Sequence, residues 1–405
     1  MLQKHECQNG LRIVLEEIPA VRSVTIGIWI LTGSRNESKE INGISHFLEH
    51  MFFKGTKTRS AKDIAEAFDA IGGQVNAFTS KEYTCFYAKV LDTHKEYALE
   101  ILADMFFNST FDEVELEKEK KVVYEEIRMS EDTPDDIVHD LLSKASYGHH
   151  PLGYPILGSE ETLATIHAAD LKKYMATHYT PSNIVISVAG NVNESFFSVI
   201  DQHFGKFQGE ADQHSYEKPT FIAEHVERIK EAEQAHLCLG YNGFSIDDEN
   251  VYSLIVMNNV LGGSMSSRLF QEVREQRGLA YSVFSYHNSF LDNGLLTIYA
   301  GTGKQHLSEL KDTIEKTIEE LVMHGLTDKE LHNSKEQLKG NLMLSLESTN
   351  SRMSRNGRNE LLLGKHRTLD EMIEEINLVT LESTHDVIRN LFSNSYSSAL
   401  VSPQK

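Results

Sequence analysis

The chain has 405 residues, of which 40% are hydrophobic and 24% charged, a composition typical of a globular protein with room for two or more domains. Its formal net charge of −21 argues against a nucleic-acid partner, which needs a basic surface, and permits steering of basic ligands into an acidic cleft. The three cysteines, Cys7, Cys85 and Cys238, are widely spaced, so neither a disulfide framework nor a cysteine-based zinc site is predicted. This cysteine usage indicates a reducing, cytoplasmic compartment. No apolar run is long enough for a membrane span.

The first predicted helix carries the most informative residues of the chain. Two strands with alternating apolar residues are predicted at 11–18 and 24–31, and residues 44–53 then have the spacing of an amphipathic helix. Its apolar residues recur at i, i+3, i+4, i+7 and i+8. At about 100° per residue, His46, Glu49 and His50 therefore share the opposite face.

These three residues have the types and the spacing of a metal centre. Two histidines four residues apart lie one helical turn apart, so both imidazoles can reach one metal ion. Glu49 is better placed to act on a water molecule as a general base than to be a third ligand. The order His-x-x-Glu-His inverts the usual zinc-protease motif and is typical of inverzincins. The alternative is a solvated polar face, which more usually has Lys, Glu and Gln than two histidines.

Helices dominate the rest of the first half. A helix at 61–71 is predicted to end at a pair of glycines, and two strands at 74–80 and 83–90 flank a short turn. Further helices are predicted at 94–108, 113–129, 134–146 and 168–177, and a strand at 184–190.

The polar segment 208–219 lacks periodicity and is predicted to link two domains, 1–207 and 220–405. Beyond it the order of elements repeats, with strands predicted at 235–241, 280–286, 295–301 and 397–401 and helices at 250–261, 308–323, 328–346, 351–363, 369–376 and 381–392. We therefore predict an α+β fold of two homologous domains. Only the first carries the metal-ligating residues, because the helix at 250–261 has Asn258 and Asn259 and no His pair.

A catalytic zinc ion needs three protein ligands and an open position, so one more ligand is expected. The acidic helix at 113–129 offers candidates. Glu119 and Glu126 are seven residues apart and share one face, and Glu125 is a rival to Glu126. Periodicity alone leaves these candidates open, because acidic residues crowd the helix and most of them must be solvated.

Several longer motifs resemble those of a known family. HFLEHMFFKGT at 46–56 and VVYEEI at 122–127 resemble the pitrilysin-type inverzincin metallopeptidases, and most of all the catalytic subunit of the mitochondrial processing peptidase and its bacterial zinc-protease relatives. The resemblance covers essentially the whole chain, including YGHHPLGYPILG at 147–158, THYTPSN at 177–183 and REQRGLAYSV at 274–283. It implies two similar α+β domains, each a mainly antiparallel sheet backed by helices, which form a clamshell-like cleft.

The resemblance also implies roles for individual residues. His46, His50 and Glu126 match the ligands of one zinc ion per chain. Glu49 matches the general base, and Glu119 matches an acid that supports the catalytic site. The implied activity is that of a zinc endopeptidase of short or unfolded polypeptides, in which Glu49 passes a proton from water to the leaving amine.

Residues 74–80 resemble the edge strand to which the family's substrates pair as an added strand. Asn76, Ala77, Phe78 and Thr79 are therefore expected to bind substrate, with Asn76 and Ala77 closest to the zinc ion. The alternative is an ordinary interior strand.

Arg274 and Tyr281 match a pair that reaches the substrate in this family, and their side chains are suited to donate hydrogen bonds to an oxyanion and a peptide backbone. Taken singly, they indicate only a surface Arg and a core Tyr. Because this pair and the metal motif lie in one chain, the resemblance implies a self-sufficient protomer that forms a homodimer.

Basic peptides are the expected substrates, given the acidic chain. One rival interpretation is a non-catalytic structural or peptide-binding subunit, although such family members typically lose metal ligands. Another is a manganese or cobalt hydrolase, because two histidines and one glutamate do not exclude those metals.

Overall fold

The structure is a computed structural model that describes residues 2–209 and 217–404, so residues 210–216 of the predicted linker lie outside the described part of the chain. The chain divides into two compact units. The first unit comprises Met1–Arg128, Tyr154–Ser215 and Ser345–His366, and the second comprises Met129–Gly153, Tyr216–Leu344 and Arg367–Lys405.

Each unit contains a β-sheet. The strands in the described residues are β1 (Leu2–Glu6), β2 (Arg12–Glu17), β3 (Ser23–Ile30), β4 (Gln74–Thr79), β5 (Thr84–Leu91), β6 (Ile184–Gly190), β7 (His225–Lys230), β8 (Ala235–Gly243), β9 (Ala280–Ser289), β10 (Gly294–Thr302) and β11 (Ser397–Pro403). The predicted strands agree with these to within a few residues. The short strands β1 and β7 were not predicted, because their mostly polar residues give no clear apolar alternation.

Helices fill most of the remaining chain. Those in the described ranges are α1 (Ile44–Met51), α2 (Ala61–Asp69), α3 (Lys95–Asn108), α4 (Glu113–Asp132), α5 (Pro134–Tyr147), α6 (Glu160–Thr165), α7 (Ala168–His178), α8 (Phe196–Phe204), α9 (Val251–Leu261), α10 (Leu307–His324), α11 (Asp328–Ser345), α12 (Thr349–Leu363), α13 (Leu369–Leu378) and α14 (Leu381–Phe392). The helices α6 and α8 and the π-helix Phe270–Glu275 were not predicted from the sequence. None of the described helices combines the length and apolar character needed to cross a membrane.

The sheet of the first unit has the strand order β1-β2-β6-β3-β5-β4 in the described residues. β2 and β6 are parallel, and the other neighbours are antiparallel. Alternate residues face opposite sides, so that Ile13 and Leu15 belong to the core under α1, α3 and α8, whereas Val14 faces α12. The sheet thus has a helical layer on each face.

The sheet of the second unit repeats this topology without the extra edge strand. Its described strands have the order β7-β11-β8-β10-β9, with β7 and β11 parallel and the remaining neighbours antiparallel. This matches β2-β6-β3-β5-β4 strand for strand and direction for direction. The predicted α+β class, with two similar and mainly antiparallel sheets, is confirmed.

Each compact unit contains one helix from the other half of the chain, so the units are not two contiguous halves of the sequence. α12, from the second half, packs on the first sheet, where the Trp29 indole N–H donates to Met353 Sδ at 3.2 Å. α5, from the first half, packs on the second sheet through Ile137, Val138 and Leu142. Each helix buries its apolar face on the sheet of the other half. The boundary at 208–219 stays a prediction.

Candidate metal centre

The helix that carries the motif is anchored at both its N-terminus and its apolar face. Gly43, with a φ of +98°, turns the chain into α1. The buried carboxylate of Glu37 accepts hydrogen bonds from the backbone N–H groups of Gly43 and Ser45, both at 2.8 Å. Burial raises the pKa of Glu37, and these hydrogen bonds oppose the rise. An acid at this end of a helix satisfies N–H groups that have no partner within the helix.

Three potential ligand side chains converge on one point of the first unit. His46 and His50 lie one turn apart on α1, and Glu126 reaches them from α4. Glu126 Oε2 is 3.8 Å from His46 Nε2 and 3.5 Å from His50 Nε2. All three potential ligand atoms lie within 4.8 Å of one another.

This arrangement fits a zinc ion. In a tetrahedral zinc site with bonds of about 2.0–2.1 Å, neighbouring ligand atoms are about 3.4 Å apart. The measured separations of 3.5 and 3.8 Å exceed this by a few tenths of an ångström, which a small side-chain rotation closes. Burial and the neighbouring His50 ring lower the pKa of His46 to about 3, so this imidazole is neutral at pH 7, the form that binds metals.

Glu119 orients one of the histidines. Its buried carboxylate accepts a hydrogen bond from His50 Nδ1–H at 2.9 Å and pairs with Lys54 Nζ at 2.6 Å. Burial alone would raise the pKa of Glu119, but its bonds to His50 and Lys54 outweigh burial and lower it. A protonated Nδ1 leaves the lone pair on Nε2, the nitrogen that faces Glu126.

Burial also lowers the pKa of His50, but the hydrogen bond to Glu119 and the charge of Glu126 outweigh it and raise that pKa. These negative charges favour a cation at His50 Nε2 as much as they favour a proton there. Lys54 was not singled out from the sequence, although it follows His50 by four residues, a spacing that could have indicated it.

The candidate base is tied to the strand beside it. Thr79 Oγ1 donates a hydrogen bond of 2.5 Å to Glu49 Oε2. Burial raises the pKa of Glu49, and the Thr79 hydrogen bond opposes that rise. Thr79 was predicted as a substrate contact, but its bond to Glu49 was not predicted, because no local pattern relates residues on different elements.

The acidic alternatives on α4 have different surroundings. Glu125 points into solvent, with its side chain 72% exposed, and pairs with Arg128 at 2.6 Å. Glu126, one residue further, faces the histidines. Adjacent residues on a helix point about 100° apart, so only one of the two can face α1.

β4 lies at the edge of its sheet, where its described neighbour is β5. This position contradicts the alternative of an interior strand. The Ala77 N–H donates to Asn76 Oδ1 at 2.8 Å. Phe78 is 36% exposed, and its ring lies edge-on to Trp29 at 5.6 Å between centroids.

Arg274 and Tyr281 lie together in the second unit. The Arg274 guanidinium stacks over the Tyr281 ring at 4.5 Å and over the Phe270 ring at 4.7 Å. Tyr281 is 78% exposed, so it is not the core residue that its type alone would indicate. Arg274 belongs to the π-helix Phe270–Glu275, a rare form of helix that occurs often at functional sites.

Two family models match the chain. The model described as "Insulinase (Peptidase family M16)" matches residues 12–160, which include the His46, His50 and Glu126 cluster. The model described as "Peptidase M16 inactive domain" matches residues 165–338. The second region includes α9, which has Asn258 and Asn259 on the helix that corresponds in order to α1.

Relatives match over nearly their full length. The uncharacterized zinc protease YmxG of Bacillus subtilis is 64% identical over 403 residues, which cover 100% of this chain and 98% of the relative. An uncharacterized zinc protease of Streptomyces coelicolor is 41% identical over 408 residues, which cover 98% of this chain and 88% of the relative.

Two crystal structures share the fold. One is a peptidase M16 inactive domain from Pseudomonas fluorescens, with a TM-score of 0.93 and 21% identity over 100% of this chain and 98% of that one. The other is a protease from Helicobacter pylori, with a TM-score of 0.92 and 23% identity over 100% and 99% of the two chains.

Proposed function

The chain belongs to the insulinase family of peptidases, family M16, and from this premise we propose that it is a zinc-dependent endopeptidase of short or unfolded polypeptides. One observation carries the proposal. The nitrogens of His46 and His50 and a carboxylate oxygen of Glu126 converge within 4.8 Å, and Glu49 lies on the same helical turn. Relatives that cover the whole chain are named zinc proteases, which supports zinc as the metal.

The residues of the chain divide the chemistry between them. A zinc ion held by His46, His50 and Glu126 would polarise the scissile carbonyl group and make a water molecule more acidic. The Glu49 carboxylate takes a proton from the attacking water and gives it to the nitrogen of the leaving amine. Thr79 fixes the orientation of that carboxylate through its hydrogen bond of 2.5 Å. Glu119 keeps His50 in the tautomer that binds a metal through Nε2.

Substrate binds to β4 in extended form. A peptide that adds to an edge strand is held by backbone hydrogen bonds, which accept any sequence. The Ala77 N–H, bonded to Asn76 Oδ1, is one donor that an added strand would take over. The exposed Phe78 offers an apolar contact to one substrate side chain. The link from Thr79 to Glu49 supports this orientation, because it joins the strand to the base.

The decisive experiment is cleavage of a quenched basic peptide by wild type and Glu49→Gln, with zinc content measured in both. An amide keeps the shape of the side chain and can still accept the Thr79 hydrogen bond, but it cannot take a proton. We expect turnover to fall by about 10²–10⁴-fold or more while zinc stays bound. Equal turnover in both proteins would refute the assigned mechanism.

Adjacent glutamates of α4 offer a matched test of the ligand set. Glu126→Gln is expected to lose zinc and activity together, whereas Glu125→Gln is expected to keep both, because Glu125 is solvated and pairs with Arg128. Zinc loss in Glu125→Gln with retention in Glu126→Gln would reverse the assignment.

A peptide-binding subunit without catalysis is the alternative from another class. Tight binding of the peptide by the zinc-loaded wild type, with no turnover, would favour it. The description of the second family model as an inactive domain concerns residues 165–338, which lie outside the candidate metal centre.

Further features of the proposal have their own tests. Basic peptides are preferred substrates because the chain carries a net charge of −21, and equal cleavage of matched acidic and basic peptides at low salt would contradict this.

Arg274 and Tyr281 contact the substrate, so Tyr281→Phe should lower kcat without loss of zinc. A homodimer remains a prediction for sedimentation equilibrium to test. Three free thiols support a reducing, cytoplasmic compartment.

A further inference from the structure

A second group of metal-ligating side chains lies in the first unit and shares no residue with the candidate metal centre. It consists of His5 on β1, Cys7 just after that strand, and Asp201 on α8. The potential ligand atoms of these three residues lie within 4.8 Å of one another.

The backbone explains why the three side chains meet. Residues two apart on an extended chain point to the same side, so His5 and Cys7 share one face at the edge of the sheet. Cys7 belongs to the core that α8 covers. On α8, Phe197 and Asp201 are four residues apart and point the same way, and the Phe197 ring packs on the His5 ring at 5.3 Å between centroids.

The surroundings of the thiol suit a cation. Cys7 is only 4% exposed, whereas His5 and Asp201 are both exposed, so the group opens towards solvent on one side. The Asp201 carboxylate lies within 4.8 Å of the Cys7 sulfur and of a His5 ring nitrogen, so a cation in the group would have a negatively charged neighbour.

We propose that His5, Cys7 and Asp201 form a second metal site, for a divalent ion of the zinc class. Imidazole, thiolate and carboxylate are all ligands of Zn²⁺, and three protein ligands leave a fourth position for water. The ion binds the Cys7 sulfur as thiolate, and the thiol proton passes to solvent. Binding ties the edge strand β1 to α8. No local pattern indicates this site, because Cys7 has no second cysteine near it and Asp201 lies far along the chain.

Cobalt distinguishes the two sites of the chain, because only the second contains sulfur. Chelator-stripped, reduced protein is titrated with Co²⁺ alone while bound metal and the near-ultraviolet absorption are followed. We expect two Co²⁺ ions per chain and a sulfur-to-cobalt charge-transfer band. Cys7→Ser should bind one ion and lose the band, and the matched variant Cys85→Ser should keep both, because Cys85 is outside the group.

Variants at the exposed ligands keep the proposal falsifiable if Cys7→Ser does not fold. His5→Ala and Asp201→Asn leave the thiol in place, and each should weaken Co²⁺ binding at this site by at least about tenfold. A single Co²⁺ ion per chain with no charge-transfer band, a second ion without the band, or unchanged affinity in both variants would overturn the proposal. The Cys7–Asp201 contact would then be a structural tether only.

Discussion

Replacement of Glu119 by glutamine tests whether an acid outside the proposed ligand set nevertheless controls metal binding at the candidate metal centre. Glu119 is 5% exposed, and its two oxygens contact His50 Nδ1 at 2.9 Å and Lys54 Nζ at 2.6 Å. In Glu119→Gln the amide oxygen can still accept from His50, but the negative charge is lost. The imidazole becomes a weaker ligand, and the Lys54 ammonium loses its counter-ion beside a bound cation.

The expected size of the effect follows from these contacts. Loss of a partner of a metal-ligating histidine typically weakens metal binding by about 10–100-fold, or about 1.4–2.8 kcal/mol. The upper part of this range is expected here, because Glu119 is buried and also compensates Lys54, whose repulsion of the cation is then unscreened. Because Glu119 acts through His50 and Lys54, kcat at saturating zinc should fall less than zinc affinity.

Competition with a chromophoric chelator measures the zinc affinity directly. The matched control is Glu117→Gln on the same helix, since Glu117 is 62% exposed and pairs with Lys120 away from the histidines. The control should bind zinc as the wild type does. If Glu119→Gln binds zinc as tightly as Glu117→Gln, the orienting role assigned to Glu119 is refuted.

Other measurements test the packing, an ion pair and the metal itself. Gly357→Ala would place a Cβ against Nε1 of the fully buried Trp29 and should lower the free energy of unfolding in urea by about 1–3 kcal/mol. Gly340→Ala would place its Cβ in open space beside the helix and should raise that free energy by up to about 1 kcal/mol. Glu330 is partly buried, but its bonds to Arg268 and to the Thr327 N–H lower its pKa from 4.5 to about 2, so the stability it contributes is complete above pH 4.5 and is lost as the pH falls towards 2. Glu330→Gln should therefore lower the free energy of unfolding by about 2 kcal/mol at pH 7, after allowance for solvent screening. The variant should also lose less stability than the wild type as the pH falls below 4.5. Parallel acid-unfolding curves of the two proteins would contradict this. Removal of metal by a chelator should abolish peptide cleavage, and Zn²⁺ should restore it, whereas restoration by Mn²⁺ or Co²⁺ alone would favour a different metal hydrolase.

Local patterns were sufficient for the elements that bury an apolar stripe. The strands β2, β3 and β6 and the helices α1 and α3 agree with the predicted ranges to within about two residues, because alternation and helical spacing directly reflect which side faces a core. β1 was not predicted, because an edge strand of polar residues is held by backbone hydrogen bonds to β2, and these bonds do not require particular side-chain types.

The spacing of His46, Glu49 and His50 is sufficient to predict the candidate metal-ligating helix, because the three residues lie within about one helical turn and helical geometry alone sets their common face. Helical spacing does not show which acid of α4 faces these residues. The packing of α4 against α1 turns Glu126 inward and leaves Glu125 in solvent. Helical or strand spacing also does not indicate the bond from Thr79 to Glu49, the contact between Cys7 and Asp201, or the packing of α5 and α12 in the unit of the other half. These contacts join residues on different elements. Such residues are brought together by strand order and helix packing, and no local periodicity encodes either of these.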